Sequence, residues 1–368
     1  MTLDPWRSRA AATVSTLLAG LVLAGTVAGP VAVAAAGPEA AASDRAGASA
    51  AGRCSAAVSL TGYSDALDGT TFQGVPVSGL SALGVTGRGD VLALSDRSAL
   101  FTLGQRSHRP ERVVRLAAPD GSTLDSEGLA VDGDGTVWVS SETGPRVLHL
   151  AADGSVLGEL EVPAALRVAP VGRAQENASF EGLTLSADRK VLLAADEASL
   201  SGDADGVVRF QTWTRPDASS SFSPGPQLAY RADPGLGVSE VLLAPDGRLV
   251  VLERGYLPAY GNTVRLYLVD PHLADGRAHD VSGTAELSQD DDAVLGKQLL
   301  ADLVTCPSGG ARAQQQQANP LLDNVEGMAL VGADGDRLRL LLVSDDNGRP
   351  SQTTRLLDLV VRLPAAHR

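Results

Sequence analysis

Three features of the sequence predict an all-β fold arranged as a six-bladed β-propeller. A short motif recurs five times, Asp-Gly turns recur along the chain, and no long stretch between these turns has helical periodicity. Runs rich in Val and Leu across residues 58–363 indicate strands, and Asp-Gly accepts the positive φ angles of hairpin turns. One short helix is predicted at residues 291–304, where four leucines would share a face.

Each copy of the motif combines an acidic or polar opening, an apolar strand, a turn, a second apolar strand and a second acidic residue. The copies contain Ser78-Gly79-Leu80-Ser81, Ser126-Glu127-Gly128-Leu129, Phe180-Glu181-Gly182-Leu183, Ser239-Glu240-Val241-Leu242 and Val325-Glu326-Gly327-Met328. Leu80, Leu129, Leu183, Leu242 and Met328 are separated by 49, 54, 59 and 86 residues. These intervals match a propeller blade plus its loops. At about 50 residues per blade, residues 58–363 hold six blades, with five or seven as alternatives.

The N-terminal residues predict export. Arg7 and Arg9 precede an apolar run at residues 10–33, followed by small residues suited to cleavage. We therefore expect a secretion signal peptide at 1–36, a flexible linker at 37–53 and the propeller domain at 54–368. The alternative is a membrane anchor of similar length. After cleavage we expect a secreted protein that is not bound to a membrane.

Cys54 and Cys306 are the only cysteines. An even number of cysteines in an exported chain predicts a disulfide, which would join the start of the domain to its last third. The alternative is two buried free thiols. A propeller often closes by combining strands from both chain ends in its last blade, and this disulfide would reinforce that closure.

The formal net charge of -14 excludes a nucleic-acid-binding surface as the main function. It is compatible with a solvated monomer that binds cations or a small molecule. The sequence contains no Gly-x-Ser-x-Gly motif, no phosphate-binding glycine loop and no His-Glu-x-x-His pair. An enzyme of this kind would therefore rely on carboxylates and a metal ion.

The repeated acids are expected to converge at the central channel, because equivalent positions of propeller blades lie at one height. The first set is Glu127, Glu181, Glu240 and Glu326; the second is Asp96, Glu142, Glu197, Glu253 and Asp346. Carboxylates that face one another repel, so they require arginine partners, protons or a hard cation such as Ca²⁺.

These sets predict specific roles. We expect Ca²⁺ to be held by Glu127, Glu181, Glu240, Glu326 and Asp346. Glu142 or Glu253 would act as general base, with Arg254 as a further catalytic group. The structural alternative is that the Glu-Gly pairs hydrogen-bond backbone amides of neighbouring blades.

The ordered motifs resemble the phytase-like propeller family, described by its "esterase-like activity of phytase". The residues that carry the resemblance are Asp125-Ser126-Glu127-Gly128-Leu129-Ala130, Trp138-Val139-Ser140-Ser141-Glu142, Phe180-Glu181-Gly182-Leu183, Leu252-Glu253-Arg254-Gly255, Asn324-Val325-Glu326-Gly327 and Val343-Ser344-Asp345-Asp346-Asn347. The resemblance implies an exported, calcium-associated propeller with esterase or phosphoesterase activity. The Glu-Gly openings are also similar to those of metal-dependent lactonase propellers.

The sequence predicts two candidate functions, which belong to different classes. The first is a secreted hydrolase that uses a metal ion to cleave a small ester, lactone or phosphoester. The second is a non-catalytic binding or scaffold propeller in which calcium stabilises the blades.

Overall fold

The computed structural model describes residues 52–273 and 276–365, which form a β-propeller of five blades. The prediction of a propeller is confirmed, whereas the predicted number of six blades is wrong. The strands are β1 Gly52–Arg53, β2 Val58–Ser64, β3 Thr71–Phe72, β4 Val75–Pro76, β5 Leu80–Val85, β6 Val91–Ser95, β7 Ala99–Leu103, β8 Pro110–Arg115, β9 Ser126–Val131, β10 Val137–Ser141, β11 Arg146–Leu150, β12 Val156–Glu159, β13 Phe180–Leu185, β14 Val191–Asp196, β15 Val207–Thr214, β16 Ser223–Arg231, β17 Gly237–Leu243, β18 Leu249–Leu257, β19 Gly261–Val269, β20 Lys297–Asp302, β21 Asn324–Asp334, β22 Arg337–Asp345 and β23 Leu356–Arg362.

The blades follow the chain in order. Blade I is β5–β8, blade II is β9–β12, blade III is β13–β16 and blade IV is β17–β20, each an antiparallel sheet of four strands. Blade V has the order β21-β22-β23-β2-β1, so both chain ends contribute to it. The first strand of each blade lies nearest the axis, and these five inner strands contact one another around the ring.

The missing sixth blade is explained by the long interval between the fourth and fifth motifs. Residues 270–296, between β19 and β20, form an insertion whose described part packs along blade III. Val281 N donates to Gln227 O and Leu295 N to Ala229 O, both at 2.9 Å. Val281 also belongs to a small buried apolar cluster with Ala229. The insertion therefore has the length of half a blade, but its described part packs on the existing blade III and forms no blade of its own.

The predicted helix at residues 291–304 is also wrong. Lys297–Asp302 forms β20, the outer strand of blade IV, and only Leu303–Thr305 forms a single 3₁₀ turn. Pairing with β19 determines the structure of this segment. Local helical spacing of leucines was overridden by the hydrogen bonds of the sheet.

The hydrophobic core lies between adjacent blades because side chains alternate along each strand. In β18, Val250 and Leu252 pack toward blade V, whereas Leu249 and Val251 pack toward blade III. Each blade is thus covered on both faces, which explains the nearly continuous apolar strands in the sequence. Among the described residues, no helix is long and apolar enough to span a membrane.

Closure of the ring depends on β2, which pairs antiparallel with β23 from Val58↔Val361 to Ser64↔Leu356. The predicted disulfide between Cys54 and Cys306 is confirmed. It joins the residues just before β2 in blade V to the turn after β20 in blade IV. Thr305 Oγ1 also donates to Cys54 O at 2.7 Å, so this junction is fixed by both covalent and hydrogen bonds.

We expect removal of the disulfide to lower the free energy of unfolding by about 2–5 kcal/mol, because it closes a very long loop in the unfolded chain. The change is Cys54→Ala with Cys306→Ala, and the measurement is urea denaturation. Reductant should destabilise the unmodified protein by a similar amount and leave the double variant unchanged. Equal stability of the two proteins under oxidising conditions would contradict the expectation.

Candidate functional site

A β-bulge occurs at the same place in the inner strand of every blade. In each pairing of an inner strand with its neighbour, the inner strand carries one extra residue near its start. The residue at this position is Ser81, Glu127, Glu181, Ser239 and Glu326 in blades I to V. A bulge redirects the side chain of its extra residue, and here three glutamates are brought toward the axis.

Each of these three glutamates is followed by a glycine, and the requirement for glycine is steric. A Cβ atom on Gly128 would lie 2.4 Å from Glu181 O, and one on Gly182 would lie 2.7 Å from Glu240 Cα. On Gly327 it would lie 2.8 Å from Ala82 Cα. The Glu-Gly pair therefore combines a side chain redirected by the bulge with close approach of the next inner strand.

The second strand of each blade contributes the other part of the site. Its pairing aligns Ser95, Ser141, Asp196, Glu253 and Ser344. The residues that follow them are Asp96, Glu142, Glu197, Arg254 and Asp345, and all five line one cavity. Blade IV thus places an arginine where the other four blades place an acid.

The cavity at this end of the ring has a volume of about 300 Å³. Of the described residues that line it, none is apolar. Eight are carboxylates, three are asparagines, and one serine and one arginine complete the lining. The carboxylates are Asp96, Asp125, Glu127, Glu142, Glu181, Glu197, Glu326 and Asp345.

Arg254 is the cation among these acids, and it lies on one side of the cavity. Its Nη1 is 2.8 Å from Glu197 Oε1, and its Nη2 is 3.0 Å from Glu326 Oε1. Glu181 Oε1 is farther away, at 3.9 Å. Asn324 Nδ2 also donates to Glu326 Oε1 at 2.8 Å. One guanidinium therefore stabilises two acids directly, and a second arginine, Arg97, lies 3.7 Å from Asp96.

The cavity also contains two groups of three carboxylates, one of which includes Glu197, a partner of Arg254. One oxygen each of Asp125, Glu127 and Glu142 lie within 4.8 Å of one another, as do oxygens of Glu142, Glu181 and Glu197. Calcium binds oxygen ligands at about 2.3–2.6 Å, so both groups have the donor type and spacing for a hard cation. Glu142 belongs to both.

The pKa values show how unfavourable these charges are without a counterion. Burial, followed by the charge of neighbouring glutamates, raises the pKa of Glu127 and of Glu181 well above the usual range. The same causes raise the pKa of Glu142 to about 7 and that of Asp345 to about 8. Burial also raises the pKa of Asp96 to about 6, although Arg97 opposes the shift.

Seven of the ten residues singled out from the sequence meet in the cavity: Asp96, Glu127, Glu142, Glu181, Glu197, Glu326 and Arg254. The structure places the other three elsewhere. Glu240 Oε1 accepts from Leu183 N at 3.1 Å and from Val241 N at 2.9 Å, so it connects blades III and IV. It occupies the position after the bulge, where three other copies have glycine.

Glu253 points to the opposite face of β18 from Arg254 and is fully buried. Its carboxylate accepts from Lys297 Nζ at 2.6 Å and from the Tyr230 hydroxyl. Its other oxygen accepts from Asp233 N at 2.9 Å. These contacts join blade IV to the end of blade III, away from the cavity.

Asp346 fixes the contact between blades V and I. Its Oδ1 accepts from the Ser78 hydroxyl at 2.7 Å, from Gly79 N at 3.1 Å and from Gly348 N at 2.9 Å. The preceding residue, Asp345, lines the cavity instead. Sequence reasoning also missed Asp125 as a cavity residue, although it directly precedes the Ser126-Glu127-Gly128 motif.

The fold and the site together define the class of this protein: it is a five-bladed propeller with an acidic cavity on its axis. The model of the family described as "Phytase-like: Esterase-like activity of phytase" matches residues 75–348. The chain belongs to this phytase-like family, which confirms the resemblance inferred from the motifs.

Individual relatives are more distant. An "Uncharacterized secreted protein" of Arthroderma benhamiae is 28% identical over 118 residues, which span 25% of this chain and 23% of the relative. Myxococcus xanthus glutaminyl cyclase is 13% identical over 78% of this chain and 92% of its own, with a TM-score of 0.40. Regucalcin, a calcium-binding protein of Agrobacterium tumefaciens, is 14% identical over 81% of this chain and 82% of its own, with a TM-score of 0.37. The two structures carry no argument about activity.

We expect the cation-free protein to lose stability as the pH rises from about 4 to 8. In the unfolded chain these carboxyls titrate near pH 4, whereas Glu142 and Asp345 hold protons to about pH 7 and 8 when folded. The folded state therefore binds more protons in this window, and stability falls with pH. Melting temperatures measured in chelator test this expectation.

The matched variant is Asp345→Asn, which removes one of these titrating groups and should flatten the decline between pH 6 and 8. Saturating Ca²⁺ should flatten it as well, since a cation replaces the protons. A melting temperature that rises with pH in chelator would contradict the assigned pKa values.

Proposed function

We propose that the protein is a secreted hydrolase that uses a divalent cation, Ca²⁺ in the first instance, to cleave a small ester or phosphoester. The observation that carries this proposal is the pair of overlapping carboxylate groups that share Glu142. They lie in a cavity lined by eight carboxylates and one arginine, and a second arginine, Arg97, lies 3.7 Å from Asp96. Such a site favours binding of a hard cation over any neutral or anionic group.

The donor set fits calcium and fits soft metals poorly. The described cavity residues offer carboxylate, amide and hydroxyl oxygens, with no sulfur or imidazole among them. Glu127 and Glu181 are 8% and 5% exposed, so their charges have little access to bulk water. The residues assigned to hold the cation are therefore Asp125, Glu127, Glu181 and Glu197, together with Glu142, which belongs to both groups. When bound, it would polarise the carbonyl or phosphoryl oxygen of the substrate.

Residues of the chain are assigned the two remaining roles, which are accepting a proton from water and positioning the acids. Glu142 belongs to both carboxylate groups, so one of its oxygens can contact the cation while the other accepts a proton from water. Ser179 N donates to Glu142 Oε1 at 3.2 Å and orients the carboxylate. Arg254 is assigned as a positioning residue, because Glu197 and Glu326 occupy its two terminal nitrogens.

Secretion and a monomeric state are part of the same proposal. The disulfide, the signal-like N-terminal sequence and the description of one relative as secreted support an extracellular location. The substrate is proposed to be a small molecule, since the cavity is narrow and the negative charge disfavours nucleic acid.

A non-catalytic propeller stabilised by calcium remains the second candidate. Glu240, Glu253 and Asp346 favour it, because these three repeated acids bind partners within or between blades rather than line the cavity. In that case the cation would raise the melting temperature without turnover. A lactone, which is a cyclic ester, is a substrate within the first proposal.

We expect Glu181→Gln to weaken Ca²⁺ binding roughly tenfold or more, because it removes one negative ligand from a buried site. Calorimetric titration of the purified protein measures the change. Glu240→Gln is the matched control: it alters an equally buried repeat glutamate that lies outside the cavity, and it should leave affinity within about threefold. Equal losses in the two variants would overturn the assignment of cavity residues.

We expect Glu142→Gln to lower turnover by about 100-fold or more if this residue accepts the proton, with Ca²⁺ affinity changed less. The assay uses 4-nitrophenyl phosphate, 4-nitrophenyl acetate and an aromatic lactone, with and without chelator. Hydrolysis that chelator does not affect would contradict a role for the cation. Calcium binding without turnover of any substrate would favour the scaffold.

A further inference from the structure

The hairpin formed by β18 and β19 extends beyond the cavity. In the other four blades the second strand ends at Ser95, Ser141, Asp196 or Asp345, level with the cavity-lining residue or one residue before it. In blade IV the second strand continues past Arg254 to Leu257, paired with β19 throughout. Three further residues at about 3.3 Å each carry this hairpin about 10 Å above Arg254.

Two exposed aromatic rings lie on this extension. Tyr256 is 57% exposed and Tyr260 is 60% exposed, whereas the remaining tyrosines are buried or half-buried. Tyr256 follows Arg254 by two residues, so both side chains leave the same face of β18. Tyr260 lies in the turn between the strands. Tyr256 is therefore on the face of β18 that carries Arg254, Tyr260 is at the tip of the hairpin, and neither lines the cavity.

The hairpin is held firmly in place by its neighbours. Ala318 N donates to Tyr260 O at 2.9 Å, and Asn262 Nδ2 donates to Gln317 Oε1 at 2.9 Å. On the other side, a Cβ atom on Gly255 would lie 2.5 Å from Gly235 O. Two aromatic rings that contribute little to the core are thus presented on a well-supported strand pair, an arrangement suited to binding a ligand.

We propose that Tyr256 and Tyr260 form a carbohydrate-binding platform at the mouth of the cavity. A sugar ring has polar edges and apolar C–H faces, and an exposed tyrosine offers both a flat apolar face and a hydroxyl. The adjacent cavity adds the amides of Asn177, Asn324 and Asn347 and many carboxylates, which can exchange hydrogen bonds with hydroxyl groups.

Other ligand classes fit less well. A fully apolar ligand would leave the polar groups of the cavity without partners, and a polyanion would meet eight carboxylates. The 10 Å extension exceeds the length of one sugar ring, so an oligosaccharide is the expected ligand. Its connection to hydrolysis, as an ester carried on the sugar, rests on the proposed function.

The test is binding of the purified protein to an array of plant, bacterial and animal oligosaccharides, followed by calorimetry with the best ligand. Tyr256→Ala and Tyr260→Ala should each weaken binding about tenfold, and Tyr256→Phe should change it less than threefold. Leu157→Ala is the control, because Leu157 is 55% exposed on β12 and far from the platform in the chain.

Binding to no oligosaccharide, or binding that both alanine variants leave intact, would overturn the inference. Tight binding of tetramethylammonium that depends on the tyrosines, with no oligosaccharide bound, would also overturn it and indicate a cationic ligand instead. The array requires neither cation nor turnover. Tyrosine-dependent sugar binding without hydrolysis would therefore support this inference and contradict the proposed activity. Hydrolysis without tyrosine-dependent sugar binding would support the proposed activity and overturn this inference.

Discussion

The close approach of the five inner strands at the axis is the constraint on which the rest of the structure depends. Three of them can pack there because glycine follows the bulge, with the next backbone 2.4–2.8 Å from where a Cβ atom would lie. The same bulge redirects the preceding side chain. Backbone geometry thus brings Glu127, Glu181 and Glu326 together, and their electrostatic repulsion is a consequence of how the ring closes.

Blade IV relieves this repulsion by departing from the pattern. It has Ser239 at the bulge and Arg254 on the second strand, where neighbouring blades have acids. The guanidinium interacts with Glu197 from blade III and Glu326 from blade V, the acids on either side of it. The two carboxylate groups with the geometry for a cation lie beside this arginine, and Glu197 both contacts Arg254 and belongs to one of them.

The class of fold, the closure of blade V and the disulfide could be predicted because hairpin turns, strand alternation and cysteine number are local or countable features. The number of blades could not, since residues 270–296 are long enough for strands and the packing of their described part along β16 is a long-range contact. The cavity residues were predicted where Glu-Gly marks the bulge. In blade IV the sequence Ser239-Glu240 does not contain a Glu-Gly pair. A register error of one residue therefore assigned Glu240 in place of Ser239, and placed Glu253 in the same acidic set although Arg254, also assigned, is the residue that lines the cavity.

The pairing of β2 with β23 has a consequence for the order of folding. Val58 lies opposite Val361, so the last blade requires both ends of the chain at once. Blades I to IV consist of consecutive segments and can form as the polypeptide lengthens, but the ring stays open until its final strands have been synthesised. Contacts this distant in sequence are slow to form. An open ring leaves the inner face of the first blade and the edge strand awaiting β2 uncovered, which makes this incomplete state the one most exposed to aggregation.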